Sequence, residues 1–200
     1  MSELWAFVTL GFRHITDVAA MDHILFLLAL AVIYRLRDWR DALWVVSAFT
    51  VGHSVTLALA VTGALVLPTR LIEFLIPVTI VATCVENLVV RRRRGTTGGG
   101  RYRPVFAGVF GLVHGAGFAN YLRSLFVDRV ALPLFGFNVG IEMGQIVVLL
   151  LAGVALAALD RVLVLVTRPQ GVGVVRVRVV AVSTFVALVA ARWAVERSPF

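Results

Sequence analysis

Long apolar runs separated by short, arginine-rich gaps dominate this sequence. An α-helix needs about 20 apolar residues to cross the roughly 30 Å hydrocarbon core of a bilayer. The chain has 200 residues, is 60% hydrophobic and has a mean hydropathy of +0.95, which is more apolar surface than one soluble core can bury. The sequence therefore predicts an all-α integral membrane helical bundle, with about six transmembrane helices in a single domain, residues 1–200.

The first two apolar segments are too short to span a bilayer alone. Residues 4–15 carry polar interruptions, and residues 21–36 end in a charged cluster. A short or broken first helix accounts for both lengths, because broken helices are tolerated where their backbone lines a protein cavity. We expect residues 1–20 to form an interfacial or re-entrant segment. The five later spans are predicted at 42–67, 69–90, 104–127, 133–158 or beyond, and 174–194.

The arginines determine the predicted orientation. All 19 basic residues are arginine, and twelve fall on one side of the predicted spans against five on the other, with Arg123 and Arg161 near helix ends. The positive-inside rule places the richer side in the cytoplasm and both termini outside. We interpret residues 91–103 as a basic cytoplasmic loop that contacts anionic lipid headgroups. The arginines thus indicate membrane topology, and no nucleic-acid partner is expected.

Histidines and acidic residues lie in or beside the apolar runs, where a charge costs roughly 2.5–3.5 kcal/mol even on insertion scales. Imidazole and carboxylate together suit divalent ions such as Ni²⁺, Co²⁺, Zn²⁺ or Mn²⁺, whereas one cysteine, Cys84, and three methionines argue against a copper(I) path. The predicted metal-binding residues are His14, Asp22, His23, His53, His114 and Glu142. The predicted supporting polar residues are Asp17, Asn138 and Gln145.

Position along the predicted helices converts to depth at about 1.5 Å per residue. This places Asp22 and His23 near the outer end of the bundle and His53, His114 and Glu142 near its middle. Structural roles stay open for several of them. Asp22 suits a helix N-cap, His53 suits interhelical packing, and Glu142 suits a polar cluster with neighbouring amides.

Glycines form a stripe on the fifth span, about 200° around the helix from its polar face. Gly136, Gly140 and Gly144 recur every four residues, a pattern that permits close contact between membrane helices. The fourth span shows the same division, with Gly108, Gly111 and Gly115 on a packing face. The sequence leaves open whether the stripe of Gly136, Gly140 and Gly144 packs within one chain or between copies in a homo-oligomer.

Four motifs in this order resemble the HupE/UreJ family, small polytopic bacterial membrane proteins associated with nickel or cobalt supply to hydrogenase and urease. They are His14-Ile with Asp22-His23-Ile-Leu-Phe-Leu-Leu-Ala-Leu, Phe49-Thr-Val-Gly-His53-Ser-Val-Thr-Leu57, Phe110-Gly-Leu-Val-His114-Gly-Ala-Gly-Phe118 and Phe137-Asn-Val-Gly-Ile-Glu142-Met-Gly-Gln145. The match covers residues 8–150. Seven residues separate His14 from Asp22, where the family signature has five. Of the family's second signature, only His114-Gly115 is present.

The resemblance implies metal-binding roles for Asp22, His23 and His114 and a location in the bacterial inner membrane. We expect a permease or facilitator that moves a nickel- or cobalt-type ion inward, with the metal as substrate and no organic cofactor. The ion's own gradient or proton competition would drive it, since the sequence has no ATP-binding motif. The alternatives are a metal-dependent intramembrane hydrolase and a non-transporting membrane partner that hands metal to cytoplasmic metal-handling proteins.

Overall fold

A computed structural model of the protein describes residues 3–18, 21–94, 102–125, 130–167 and 172–200. Within these ranges the chain is helical and contains no strand, which confirms the predicted all-α bundle. A short 3₁₀ turn, Leu36–Asp38, precedes the third helix. The helices are α1 Glu3–Thr16, α2 Asp22–Ala31, α3 Trp39–Val61, α4 Thr69–Arg94, α5 Arg103–Leu125, α6 Ala131–Thr167 and α7 Val172–Glu196.

Several helices have the length and composition of membrane spans. Four segments among the described residues are long and apolar enough to cross a bilayer: Leu36–Val61, Thr69–Val89, Ala131–Val166 and Gly173–Glu196. With 23 residues, α5 rises about 34 Å at 1.5 Å per residue, so its length also matches the hydrocarbon core. The protein is a membrane protein.

The predicted broken first helix is formed by two separate helices. α1 ends at Thr16, and α2 begins at Asp22. α1 lies along α6, while α2 packs mainly against α4 and α6. The N-terminal segment is therefore part of the helical bundle.

Two helix boundaries differ from the prediction. α3 ends at Val61 instead of residue 67, because Gly63 adopts a positive φ of 79°, the left-handed conformation in which glycine commonly terminates helices. α4 continues through Arg94, so the first part of the predicted basic loop is helical. Arginine favours this extension because it is a good helix former. Residues 95–101 of that predicted loop lie outside the described ranges.

Glycines bring α1 and α6 into close, parallel contact. An added Cβ on Gly11 would overlap the Phe137 carbonyl, and one on Gly140 would overlap the Val8 carbonyl. Gly136 lies against Leu4 and Gly144 against Ile15, so residue numbers rise together along both helices. The stripe Gly136, Gly140 and Gly144 thus packs within the chain, as small residues at membrane helix interfaces permit.

The same type of contact joins α3 and α5. An added Cβ on Gly52 would overlap the Gly108 carbonyl, and one on Gly111 would overlap the Phe49 carbonyl. Gly115 lies against the backbone of His53, so α3 and α5 also run parallel. We call α1 with α6 the first pair and α3 with α5 the second pair.

The two pairs are equivalent in packing and opposite in direction. Gly153 of α6 lies against Leu36, just before α3, whereas Glu142 is bonded to Ser47. Residue numbers therefore fall along α6 as they rise along α3, so α6 runs opposite to α3 and to its parallel partner α5. α1 is parallel to α6, and it therefore opposes α5. The matching contacts show which positions of the two pairs correspond. Gly11 corresponds to Gly111, His14 to His114, Phe137 to Phe49, Gly140 to Gly52, and Ile141 to His53.

A buried arginine and a buried asparagine hold the C-terminal end of α2. Arg178 of α7 donates to the carbonyls of Val32 and Tyr34 and pairs with Asp160 at 2.6 Å. The bond to Val32, the C-cap residue of α2, satisfies a carbonyl group that the end of the helix leaves without an intrahelical partner. Asn87 of α4 donates to the Ala29 carbonyl at 2.7 Å. α2 is therefore fixed to the surrounding helices α4, α6 and α7.

Candidate metal centre

Four histidine rings from four different helices meet inside the bundle. His14 lies near the end of α1, His23 at the start of α2, His53 in α3 and His114 in α5. The ring centroids are 4.6 Å apart for His14 and His23, 5.2 Å for His23 and His114, 6.0 Å for His14 and His53, and 6.2 Å for His23 and His53. We call these four side chains the histidine centre.

Three members of the centre point ligand atoms at a common space. One ring nitrogen each from His14, His23 and His53 lies within 4.8 Å of the others. Tetrahedral Zn–N bonds of 2.0–2.1 Å would place the nitrogens about 3.3 Å apart. Small inward movements of the rings would therefore bring all three nitrogens to bonding distance of one ion.

Several ring nitrogens of the centre are buried and have no hydrogen-bond partner among the described residues: His14 Nε2, His23 Nε2, His53 Nδ1 and Nε2, and His114 Nδ1. Leaving a buried polar atom unsatisfied typically costs about 1–3 kcal/mol. Neutral imidazole nitrogens are also common ligands of transition metals. The orphaned nitrogens therefore fit a metal ion as their missing partner.

Phenylalanine rings surround the histidine centre. Phe118 lies 4.0 Å from His14, and Phe26 and Phe49 lie 4.9 and 5.1 Å from His114, measured between ring centroids. Phe137 stacks on Phe118 and lies 5.6 Å from His14. The histidines are thus held in an aromatic environment of low polarity.

The family description "HupE / UreJ protein" matches residues 1–197 of this chain. The chain belongs to the HupE/UreJ family. The match extends beyond the motifs at residues 8–150 that carry the resemblance in sequence. No curated protein and no solved structure matches the chain. Membership in the HupE/UreJ family indicates a role in nickel or cobalt supply.

The carboxylates predicted as metal ligands have other partners in this HupE/UreJ protein. Asp22 accepts hydrogen bonds from Arg197 at 3.2 Å, and Glu142 accepts one from Ser47 at 2.6 Å. Asp17 is exposed. The structure therefore brings the four predicted histidines together and does not bring these three acids into the group of ligand atoms.

A polar layer borders the centre on α3 and α6. Thr50 donates to Gln145 at 2.7 Å, beside the Ser47–Glu142 bond. We define these four residues as the polar layer. Thr50 precedes His53 by three residues, or about 4.5 Å along the helix, so the polar layer lies next to the histidine centre. In α6, the buried Oδ1 of Asn138 has no hydrogen-bond partner among the described residues.

A cavity of about 610 Å³ lies beyond the polar layer. Its lining includes Leu43 of α3, one turn before Ser47, and Ile146 and Leu149 of α6, which follow Gln145. Its wall is mostly apolar. The charged residues in the lining are Arg35, Arg37, Asp160 and Arg178, and the last two form an ion pair. The histidine centre, polar layer and cavity thus follow one another along α3 and α6 in this chain.

Sequence reasoning missed three hydroxyl residues at this site. Ser47 and Thr50 bind the side chains of α6, and Thr79 of α4 lies 3.0 Å from His114 Nε2. Ser47, Thr50 and His53 are spaced i, i+3 and i+6, which places them along one helical face. That spacing could have identified Ser47 and Thr50 from the sequence. Thr79 is a single threonine in an apolar helix, and nothing in the sequence marks it as a site residue.

Proposed function

We propose that this HupE/UreJ protein is a permease that moves a divalent transition metal of the nickel or cobalt type inward across the bacterial cytoplasmic membrane. The observation that carries the proposal is the convergence of four histidines from α1, α2, α3 and α5, of which His14 is half-buried and the other three are buried. In the proposed topology α1 and α2 together make the first of six crossings. Both termini then lie outside, in agreement with the arginine distribution.

The chemistry of the centre favours transient binding. Imidazole ligands are neutral, so they coordinate a divalent ion without cancelling its charge. The surrounding phenylalanine rings add no compensating charge, and a net charge inside the membrane is costly. The centre would strip water from the ion, hold it briefly and release it. Binding that is strong enough to admit the ion and weak enough to release it suits a permeation site.

The arrangement of polar groups supports an inward path. All four histidines share one centre, so no separate outer histidine station is needed. From the centre, the carboxylate of Glu142 and the oxygens of Thr50 and Ser47 provide the next ligands along α3 and α6. Beyond this polar layer the cavity leads toward the arginine-rich ends of the helices. In this path Asp22 acts at the outer mouth through its pair with Arg197.

The inverted helix pairs support transport over a static binding role. Many secondary transporters are built from inverted repeats, with the substrate site at the repeat interface and broken helices beside it. Here His14 belongs to the first pair, and His53 and His114 belong to the second. Because glycines lock each pair through backbone contact, movement would occur between the pairs, across the polar layer. The ion's gradient or proton competition at the histidines would drive it.

The two alternatives have less support. A hydrolase would need an acid or nucleophile beside the bound ion. Phenylalanine rings pack against the histidines, and Asp22 and Glu142 are bonded elsewhere. The Thr79 hydroxyl beside His114 donates its hydrogen to the Ile76 carbonyl. A metal-handling partner requires a binding site but no connection through the bundle. The polar layer and cavity favour a route for the ion.

The test is metal flux into proteoliposomes with a metal-sensitive dye inside. Ni²⁺, Co²⁺ and Zn²⁺ would be compared for the wild type and for the double variant H23A/H53A. We expect saturable flux that falls at least tenfold in the double variant. Phe49→Leu is the matched control, since it alters a buried ring beside the centre without removing a ligand nitrogen. Metal binding without flux in the wild type would refute the permease and favour the metal-handling partner.

A further inference from the structure

A threonine of α4 forms a hydrogen bond with one of the two ring nitrogens of His114. Thr79 Oγ1 lies 3.0 Å from His114 Nε2, and both side chains are buried, with exposures of 5% and 1%. The other ring nitrogen of His114, Nδ1, is buried and has no partner. The two ring nitrogens are thus in different environments.

The direction of the Thr79–His114 bond follows from the threonine's other bond. Thr79 Oγ1 donates its single hydrogen to the Ile76 carbonyl at 2.7 Å. A hydroxyl has one hydrogen and two acceptor lone pairs, so toward His114 it acts as an acceptor. His114 therefore carries its hydrogen on Nε2 and a bare lone pair on Nδ1.

The opposite tautomer of His114, with its hydrogen on Nδ1, would leave a buried hydrogen-bond donor unsatisfied. A hydrogen on Nδ1 would be a buried donor without an acceptor, and such groups are rare because they lose their hydrogen bond to water without replacement. The lone pair at Nδ1, by contrast, is the form of imidazole that binds a metal. His114 lies 5.2 Å from His23 between ring centroids, but it is not among the three described histidines whose ligand atoms lie within 4.8 Å of one another. Its ring would therefore move inward to bring this lone pair to an ion in the histidine centre.

We propose that Thr79 is a positioning residue that fixes the Nε2–H tautomer of His114 and so presents Nδ1 as the fourth nitrogen ligand of the centre. This inference rests on the proposed binding of a divalent metal there. It concerns a residue that does not touch the ion. Hydrogen bonds of this kind to ligating histidines typically change metal affinity 10- to 100-fold.

The first readout is the tautomer of His114 without metal. The chain has four histidines, so ¹⁵N-labelled histidine gives a small set of signals, and an H114Q variant assigns the one that belongs to His114. We expect the Nε2–H form in the wild type and in T79S, which keeps the hydroxyl. We expect T79V, which keeps the shape but removes the acceptor, to lose this preference.

The second readout is the affinity for Co²⁺ of the purified full-length protein. T79V should weaken binding 10- to 100-fold and change the visible absorption of bound Co²⁺, whereas T79S should stay within threefold of the wild type. Thr83→Val is the matched control, because Thr83 is buried one turn later on α4 and bonds only to the Thr79 carbonyl in its own helix. T83V should bind like the wild type.

The outcomes separate this inference from the proposed function. An Nδ1–H form of His114 in the wild type, or equal losses in T79V and T83V, would overturn the role of Thr79 only. Wild-type protein that binds Co²⁺ but moves no metal across a bilayer would overturn the permease only. Wild-type protein that binds no Co²⁺ would overturn both.

Discussion

The two glycine-packed helix pairs have the same backbone contacts and different ligands. In the first pair Gly11 meets the Phe137 carbonyl, and in the second Gly111 meets the Phe49 carbonyl. Both pairs carry a histidine three residues after that glycine, His14 and His114. His53 of the second pair, however, corresponds to Ile141 of the first. The packing is duplicated, but the ligand set is not.

This difference explains how an asymmetric site forms on a repeated scaffold. The second pair supplies two imidazoles, the first supplies one, and α2 adds His23. Ile141 is fully buried and contributes apolar packing at the position where a fifth imidazole would stand. Backbone contacts therefore set the positions of the ligands, while single substitutions decide which positions bind metal.

The largest effect is expected from breaking the helix pairs themselves. Gly11→Ala and Gly111→Ala each place a Cβ onto a backbone carbonyl, which no rotamer change can relieve. Overpacking of this kind costs about 1–3 kcal/mol or more, so both variants should lose most of their monodisperse protein after detergent extraction. Size-exclusion chromatography and thermal unfolding measure this loss.

Gly153→Ala is the control for these glycines, since its nearest contact is the end of a flexible side chain, Leu36 Cδ2 at 3.0 Å. It should change the free energy of unfolding by no more than about 1 kcal/mol. If G11A were as stable as the wild type while G111A unfolded, the equivalence of the two pairs would be wrong.

The next largest effect is a difference in Ni²⁺ affinity between substitutions at equivalent positions of the two pairs. His53→Ala should lower Ni²⁺ affinity by roughly 100-fold or more, beyond the 10- to 100-fold effects of groups that only support a ligand. Ile141→Val at the equivalent position should cost about 0.5–1.5 kcal/mol of stability and leave Ni²⁺ affinity unchanged. Calorimetric titration in detergent gives both affinities, and equal losses would argue against the centre.

Movement between the pairs can be blocked by cross-linking. In a Cys84→Ser background, a short bifunctional maleimide would join Leu43→Cys to Ile146→Cys across the inner cavity. We expect metal flux in proteoliposomes to fall about tenfold, because the α3–α6 interface could no longer open. A monofunctional maleimide, which modifies the same two cysteines without joining them, should leave flux intact. Unchanged flux with the cavity cross-linked would indicate a rigid pathway.

The smallest effect is expected at the outer end. Asp22→Asn removes a partly exposed ion pair with Arg197, and such pairs contribute about 0–1 kcal/mol. Its Ni²⁺ affinity should stay within about threefold of the wild type. A loss as large as that of His53→Ala, measured in the same titration, would instead make Asp22 a ligand.

Much of the fold follows from the sequence because apolar length and helix breakers act locally. The break between α1 and α2 follows from two segments that are each too short to span. The end of α3 at Val61 was missed, since the sequence does not show that Gly63 takes a positive φ. The extension of α4 through Arg94 was missed because helical backbone can continue through charged residues.

The site is less predictable, because it depends on contacts between distant helices. Counting residues gives depth along each helix, and it separated His23 from His53 and His114 although all three rings meet. It says nothing of lateral position, which the glycine contacts determine. The inverted repeat does leave a sequence signal: Gly11 and His14 recur as Gly111 and His114, and Phe49-x-Val-Gly52 recurs as Phe137-x-Val-Gly140.

X-ray absorption of the Zn²⁺-loaded protein tests most directly whether the histidines bind one ion. The histidine centre predicts three or four nitrogen ligands at about 2.0–2.1 Å, with the outer scattering typical of imidazole. One imidazole should be lost in His53→Ala and none in Ile141→Val. A first shell of oxygen atoms that is the same in the wild type and in His53→Ala would show that the ion binds elsewhere and would contradict the account.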